Sequence, residues 1–148
     1  MKPSEFFDSV YAGAKTELAL AGMTLFHGYQ GKFPDLTDTS PLWCATNAEE
    51  AREYSQWGNH SGIGGTMELK LRAGQEALVG SPKVHEFMMY VGVVPHQVYA
   101  QELLSWGIER GVYLIKEHSD VYILLKPKHQ CSIVGEVQFT LSVGRSPD

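Results

Sequence analysis

The chain has 148 residues, of which 43% are hydrophobic and 20% are charged, with a formal net charge of −5 at pH 7. This length and balance fit one globular domain, so we predict a single domain over residues 1–148. The acidic balance disfavours broad, non-specific binding to nucleic-acid backbones, which requires clustered lysine and arginine.

The N-terminal residues lack a basic region followed by an apolar core, which disfavours a signal peptide. No apolar run reaches the roughly 20 residues of a membrane span, so we expect no membrane partner and a cytoplasmic location. Cys44 and Cys131 are the only cysteines, and reduced thiols are the simplest expectation for them. Two cysteines are too few for a structural zinc site and the histidines show no ligand spacing, so no metal is expected.

The first third of the chain predicts a helix followed by two short strands. A serine N-cap and apolar residues at helical spacing predict a helix over residues 4–21, which Gly22 ends. Residues 23–29 are a predicted strand, residues 31–41 are rich in turn formers, and residues 42–45 are the next predicted strand.

A second helix follows, in which Thr46 or Asn47 is the N-cap and the last residue is near Trp57. Four of the eight residues 58–65 are glycine, which predicts a flexible loop. This loop is either a lid that contacts the target or a long turn.

The second half predicts one helix among several strands. The helix covers residues 95–109, with Val98, Leu103, Leu104 and Ile108 on its apolar side. Alternation and apolar runs predict strands over residues 66–71, 76–79, 86–91, 112–115, 121–125 and 132–141. The sequence therefore predicts an α+β fold, with an N-terminal helix, flanking helices and a mixed or antiparallel sheet.

Three separated segments combine into a candidate site. His27 and Gly28 lie near the end of an apolar strand. Trp43 and Tyr54 lie eleven residues apart across a predicted strand and the helix after it. Glu86 lies directly before the apolar run of residues 87–91. A polar histidine, two aromatic faces and a fixed carboxylate can hold a dinucleotide and stabilise positive charge at a sugar carbon.

This order of motifs resembles the histidine branch of the ADP-ribosyltransferase superfamily, which includes the poly(ADP-ribose) polymerases and the diphtheria-type toxins. The resemblance covers roughly residues 23–98 and is strongest over residues 42–54. It implies a split mixed or antiparallel sheet and NAD as co-substrate. It also implies a toxin-like or effector mono-ADP-ribosyltransferase, a glycosyltransferase that releases nicotinamide and modifies a protein or nucleic acid.

The resemblance also implies roles for the five residues. His27 would bond a hydroxyl of the adenosine ribose, and the backbone of Gly28 would approach the nicotinamide carboxamide. Trp43 and Tyr54 would stack on the nicotinamide ring. Glu86 would stabilise the charged sugar and orient the nucleophile, so Glu86 and His27 are the expected catalytic residues.

Two positions depart from the family pattern. Trp43 stands where the family has a tyrosine, so the phenol hydroxyl is absent. Ala51 stands where the polymerases have a serine that bonds the nicotinamide amide. Val84 lies two residues before Glu86, where the arginine-specific branch of the superfamily has glutamine or glutamate, so the sequence does not resemble that branch.

Each residue also has a structural interpretation: a hydrogen-bonded core histidine, a plain strand glycine, packed aromatics and a surface glutamate. A catalytically silent module that binds NAD, ADP-ribose or a protein is therefore an alternative, as are NAD hydrolysis and a purely structural role. An NAD-dependent RNA 2′-phosphotransferase is a further alternative, although it needs several basic residues. Lys126, Lys128 and His129 form a small basic cluster that either contacts phosphates or marks a turn.

Overall fold

The computed structural model describes residues 3–11, 13–54, 64–80 and 96–137. This part of the chain folds into four helices and eight strands. In chain order they are α1 Pro3–Tyr11, β1 Thr16–Ala19, β2 Thr24–Gln30, β3 Leu42–Ala45, α2 Ala48–Tyr54, β4 Gly64–Leu71, β5 Gln75–Val79, α3 His96–Arg110, β6 Leu114–His118, β7 Val121–Leu124, α4 Pro127–Gln130 and β8 Cys131–Glu136. None of the helices in these ranges is long and apolar enough to span a membrane.

All eight strands belong to one sheet, in the order β1-β5-β6-β7-β3-β2-β4-β8. Every neighbouring pair is antiparallel except β5 and β6, which run parallel. The α+β class and the mixed, mostly antiparallel sheet expected from the sequence are therefore confirmed.

The two faces of the sheet carry separate hydrophobic cores. The helix-side core joins α1 and α3 to the sheet and contains Phe7, Val10, Tyr11, Tyr99, Leu103, Leu104, Trp106, Ile115, Ile123 and Leu125. The loop-side core contains Ala19, Leu25, Tyr29, Cys44, Met67, Leu69, Leu71, Ala77, Leu114, Tyr122, Leu124 and Cys131. Phe33 and Leu36, from the loop between β2 and β3, pack against the loop-side core, so this loop is part of the fold rather than an appendage.

The sheet is weakest where β2 meets β3. Seven residue pairs join β2 to β4 and four join β3 to β7, but within the described ranges only Phe26 and Ala45 pair across the β2–β3 junction. The junction therefore divides the sheet into two parts. One part has the five strands β1, β5, β6, β7 and β3, and the other has the three strands β2, β4 and β8.

The helix predicted over residues 4–21 is wrong in its second half. It ends at Tyr11, Gly13 adopts a left-handed φ of +66°, and residues 16–19 form strand β1. Leu18 was assigned to the apolar stripe of that helix, yet it is 65% exposed. The strand forms because it pairs with β5, a partner about sixty residues away that no local pattern reveals.

Two other boundaries, the starts of β4 and β6, differ from the sequence predictions. Gly64 and Gly65 belong to β4 rather than to the preceding loop, because they pair with Gln30 and Tyr29. Strand β6 begins at Leu114 rather than at residue 112, since the backbone N–H of Val112 donates to Gly107. Residues 86–91, 55–63 and 138–141 of the predicted elements lie outside the described residues.

Helix α3 corresponds to the helix predicted over residues 95–109, and two of the four residues predicted for its apolar side are buried. Leu103 and Leu104 are buried, but Val98 and Ile108 are 48% and 44% exposed. Tyr99 and Trp106 take their place in the core, because both rings pack against Phe7 of α1, at centroid distances of 5.6 and 5.7 Å. The Trp106 indole N–H also donates to Asp8, 2.9 Å away, which fixes α3 against α1.

Gly107 allows α3 to approach the sheet. A Cβ at this position would overlap Leu125 Cδ1 and lie 2.8 Å from the carbonyl oxygen of Val112. We expect Gly107→Ala to destabilise the fold by about 1–2 kcal/mol, since overpacking outweighs the gain in helix propensity. Urea unfolding measures this, with Gly74→Ala as the matched control because its nearest neighbour would be 3.5 Å away. Equal stability of Gly107→Ala and wild type would contradict the close approach.

Candidate functional site

His27 lies at the weak junction of the sheet. Its Nδ1 atom is 2.8 Å from the carbonyl oxygen of Trp43, a residue of β3, while His27 itself belongs to β2. The imidazole thus links the two parts of the sheet one residue beyond the single Phe26–Ala45 pair. Two residues that the sequence assigned to one site are in contact, but through the backbone of Trp43 rather than through its ring.

This hydrogen bond fixes the chemical state of the imidazole. A carbonyl oxygen only accepts, so Nδ1 carries a proton and donates. Burial lowers the pKa of His27 below its ordinary value and outweighs the opposing effect of the Trp43 carbonyl. The ring is therefore neutral near pH 7, and its Nε2 atom is a hydrogen-bond acceptor. Because the side chain is only half-buried, this acceptor suits a hydroxyl group of a ligand.

Gly28 lies opposite a buried hydroxyl. In the β2–β4 register Gly28 pairs with Thr66, whose side chain is therefore on the same face as the missing Cβ of Gly28. Thr66 is 1% exposed, and its Oγ1 atom has no hydrogen-bond partner in the part of the chain that the structure describes. An unpaired buried hydroxyl lowers the free energy of unfolding by about 1–3 kcal/mol. A polar ligand group next to Gly28 could form a hydrogen bond with the Thr66 hydroxyl, which can both donate and accept.

Helix α2 is positioned over this part of the sheet by its cap. The Asn47 side chain accepts from the backbone N–H of Glu50 at 2.7 Å, which confirms Asn47 as the N-cap. The helix packs on β2, β3 and β4. Ala51, at the position of the polymerase serine, is fully buried, so a methyl group stands where the resemblance expects a hydroxyl.

The Trp43 ring is placed by core packing. It lies against the helix-side core, with its centroid 6.2 Å from that of Tyr99, and Trp43 pairs with Ile123 of β7. Leu25 and Tyr29, which share a face of β2 with His27, belong to the loop-side core, so the side chains of His27 and Trp43 lie on opposite faces of the sheet. The described contacts of the indole are thus on the helix-covered face, and its role as a stacking surface for nicotinamide stays a prediction.

The remaining two predicted site residues are not placed. Tyr54 is the last residue of α2, but its side chain is outside the described part of the structure. Glu86 lies outside the described residues altogether. The aromatic pair and the catalytic carboxylate therefore remain sequence predictions.

Sequence reasoning missed two residues that the register brings into this region. Thr66 was assigned only to a strand, and Glu136 was not singled out. His27 pairs with Met67 and Met67 pairs with Glu136, so the three occupy one row across β2, β4 and β8. Glu136 is consequently a described carboxylate about 10 Å from His27 on the same face. Only the pairing of distant strands reveals this row.

The two cysteines do not supply a nucleophile. Both are buried and free, as the sequence led us to expect. Burial raises the pKa of Cys131 to about 11 and also raises that of Cys44, so neither is a thiolate at neutral pH. Across the described ranges, no group of three or more histidine, cysteine, aspartate or glutamate residues is arranged to hold a metal ion.

Comparison of the sequence with models of protein families and with curated proteins gives no match.

The lowered pKa of His27 predicts how stability changes with pH. The unfolded chain binds the proton near the ordinary value of 6.5, whereas the folded chain resists it. The wild type therefore loses stability as the pH falls below 6.5 towards the folded-state pKa, and gains nothing from this group above 6.5. His27→Asn lacks this loss but retains an N–H near the Nδ1 position. Urea unfolding of both proteins between pH 8 and pH 5 measures the difference, and parallel curves would contradict a neutral buried His27.

Proposed function

We propose that this chain is a mono-ADP-ribosyltransferase that binds NAD, releases nicotinamide and transfers ADP-ribose to a macromolecule. The observation that carries the proposal is the hydrogen bond between His27 Nδ1 and the Trp43 carbonyl oxygen. The Nδ1–H of His27 is committed to the Trp43 carbonyl, which leaves the Nε2 atom as an acceptor. This is the arrangement expected of a residue that positions a ribose hydroxyl rather than one that transfers protons.

The division of the sheet supports the same proposal. The resemblance implies a split sheet, and β2 and β3 are joined here by one described residue pair. The candidate residues His27, Gly28 and Trp43 all lie at this junction. We assign the NAD site to this junction, to which β2 contributes the backbone of Gly28 and the acceptor of His27.

The proposed chemistry is a substitution at the anomeric carbon of the nicotinamide ribose. The bond from this carbon to nicotinamide breaks, and its electron pair leaves with the neutral base. A nucleophile of the acceptor macromolecule forms the new bond and gives up its proton. Glu86 is assigned to stabilise the positive sugar and to hold its 2′-hydroxyl, and His27 to fix the distal ribose.

A silent NAD-binding module is the second candidate, and two observations favour it. The buried methyl group of Ala51 removes one hydroxyl that the resemblance expects, and the core-packed indole of Trp43 removes the other. Such a module would bind NAD without breaking the glycosidic bond, so turnover distinguishes the two candidates.

Nicotinamide release tests the assignment of His27. Purified protein is incubated with NAD carrying a label in the adenosine part, and both free nicotinamide and labelled macromolecules from a cell lysate are measured. His27→Asn should lower kcat/KM for NAD by about tenfold or more, because one ligand hydrogen bond is lost. His129→Ala is the matched control, since it removes an exposed histidine from another part of the surface. Equal effects of the two substitutions would contradict a specific role for His27.

The same assay assigns the carboxylate. Glu86→Gln should reduce turnover by about a hundredfold or more while leaving thermal unfolding unchanged, because the charge acts in the transition state. Glu136→Gln is the rival variant and should retain most of the activity. Loss of turnover in Glu136→Gln alone would move the catalytic role to Glu136. Binding of NAD by the wild type without nicotinamide release would favour the silent module.

Thr66 gives a prediction that separates stability from binding. Thr66→Val replaces an unpaired hydroxyl by a methyl group of similar size, so we expect it to stabilise the fold by about 1 kcal/mol. If the hydroxyl bonds the nicotinamide part of NAD, the same variant should raise KM by about fivefold or more. Thr66→Ser keeps the hydroxyl and should keep the wild-type KM. A destabilised Thr66→Val protein would show that the hydroxyl has a partner in the fold.

A further inference from the structure

A cavity lies at the opposite end of β4 from Thr66. It has a volume of about 410 Å³ and is lined by Arg72, Gln75, Tyr113, Lys126, His129 and Gln130, together with the backbone of residues 73–74. These residues come from the β4–β5 turn, the start of β6, and α4 with the residue before it. A cavity of this size accommodates a small organic molecule.

One buried amide holds the walls of this cavity together. Gln130 is 7% exposed, and its Nε2 donates to Gln75 Oε1 at 2.6 Å and to the Tyr113 carbonyl at 2.8 Å. Its Oε1 accepts from the backbone N–H of Lys126 at 2.8 Å. Three separate segments are thereby fixed around the cavity without any help from a ligand, so the site is pre-formed.

Two of the residues that line the cavity, Arg72 and Lys126, are cations. Arg72 is oriented by its Nε, which donates to the Cys131 carbonyl at 3.0 Å, and this leaves its two terminal nitrogens for a ligand. No carboxylate of the described residues forms an ion pair with Arg72 or with the Lys126 ammonium. Asp38 lies near Lys126, but its ion pair is with His129.

We propose that this cavity binds a phosphate-bearing small molecule of nucleotide size, with the phosphate between Arg72 and Lys126. Two cations that line one cavity, neither of them ion-paired with a described carboxylate, favour an anionic group such as a phosphate. The volume far exceeds that of a phosphate ion, and the exposed ring of Tyr113, 43% accessible, offers a surface on which a base or sugar can pack. The net charge of −5 favours a small anion over a nucleic-acid chain.

This site is separate from the one at His27. Met67 lies opposite His27 in the sheet, and Arg72 follows it five residues later along β4 and the adjoining turn, a distance of roughly 16 Å. The proposal therefore does not depend on NAD turnover. It gives a role to the basic cluster near the C-terminus, which the sequence left open between a phosphate contact and a turn.

Calorimetric titration with adenosine 5′-monophosphate, ribose 5-phosphate, inorganic phosphate and adenosine tests the proposal. We expect the two organic phosphates to bind more tightly than inorganic phosphate, and adenosine to bind more weakly than either organic phosphate. Lys126→Gln should weaken the binding by roughly tenfold or more, since it removes a charge-assisted hydrogen bond. Lys128→Gln, which removes the same charge from an exposed neighbour that does not line the cavity, should change it less than about threefold.

One further variant makes the outcome decisive. Arg72→Gln should weaken binding as Lys126→Gln does, with thermal unfolding as the check on the fold. Equal weakening by Lys126→Gln and Lys128→Gln would indicate only diffuse surface charge. Equal affinity for phosphate and for the nucleotide would reduce the site to one for a simple ion, and tighter binding of a short RNA would replace the small molecule.

Discussion

The hydrogen bond from His27 to the carbonyl oxygen of Trp43 is the contact on which the candidate site depends. Backbone pairing joins β2 and β3 at one residue pair, so a side chain supplies the next link across the junction. The same bond orients the imidazole and selects its tautomer. The imidazole therefore has a structural and a functional role. Its Nδ1–H bridges the two parts of the sheet, and because the proton is on Nδ1, Nε2 is a hydrogen-bond acceptor.

The parts of the fold that the sequence predicted well are those with strong local signals. Strand β3 was predicted with its observed bounds, and Asn47 was one of the two residues expected to cap α2, because its side chain can satisfy a nearby backbone N–H. The second half of the first predicted helix failed because Leu18 fits a helical stripe and an edge strand equally well. What decides between them is pairing with Leu78 and its neighbours in β5, and sequence periodicity contains no information about such a partner.

The site was predictable to the extent that its residues are adjacent in sequence. His27 and Gly28 follow one another, and their nearness to Trp43 follows from two consecutive strands that pair. Thr66 and Glu136 reach the same region through β4 and β8, which are distant in the chain and define positions only through their register. The cavity around Gln130 shows the same limit, since its Arg72 and Lys126 lie more than fifty residues apart in the sequence.

The two buried polar side chains of the described residues differ in whether the protein satisfies their hydrogen bonds, and this difference distinguishes a structural residue from a candidate ligand contact. Thr66 and Gln130 are the two polar residues that are buried in the described ranges. Gln130 uses both amide protons and its carbonyl oxygen within the protein, so its burial is offset by hydrogen bonds and it acts as a structural tie. Thr66 has a buried hydroxyl without such a partner, opposite a glycine and beneath a helix. The fold satisfies one buried polar group completely and leaves the other unpaired opposite Gly28. The unpaired hydroxyl lowers the stability of the fold, and a ligand that forms a hydrogen bond with it would recover that stability.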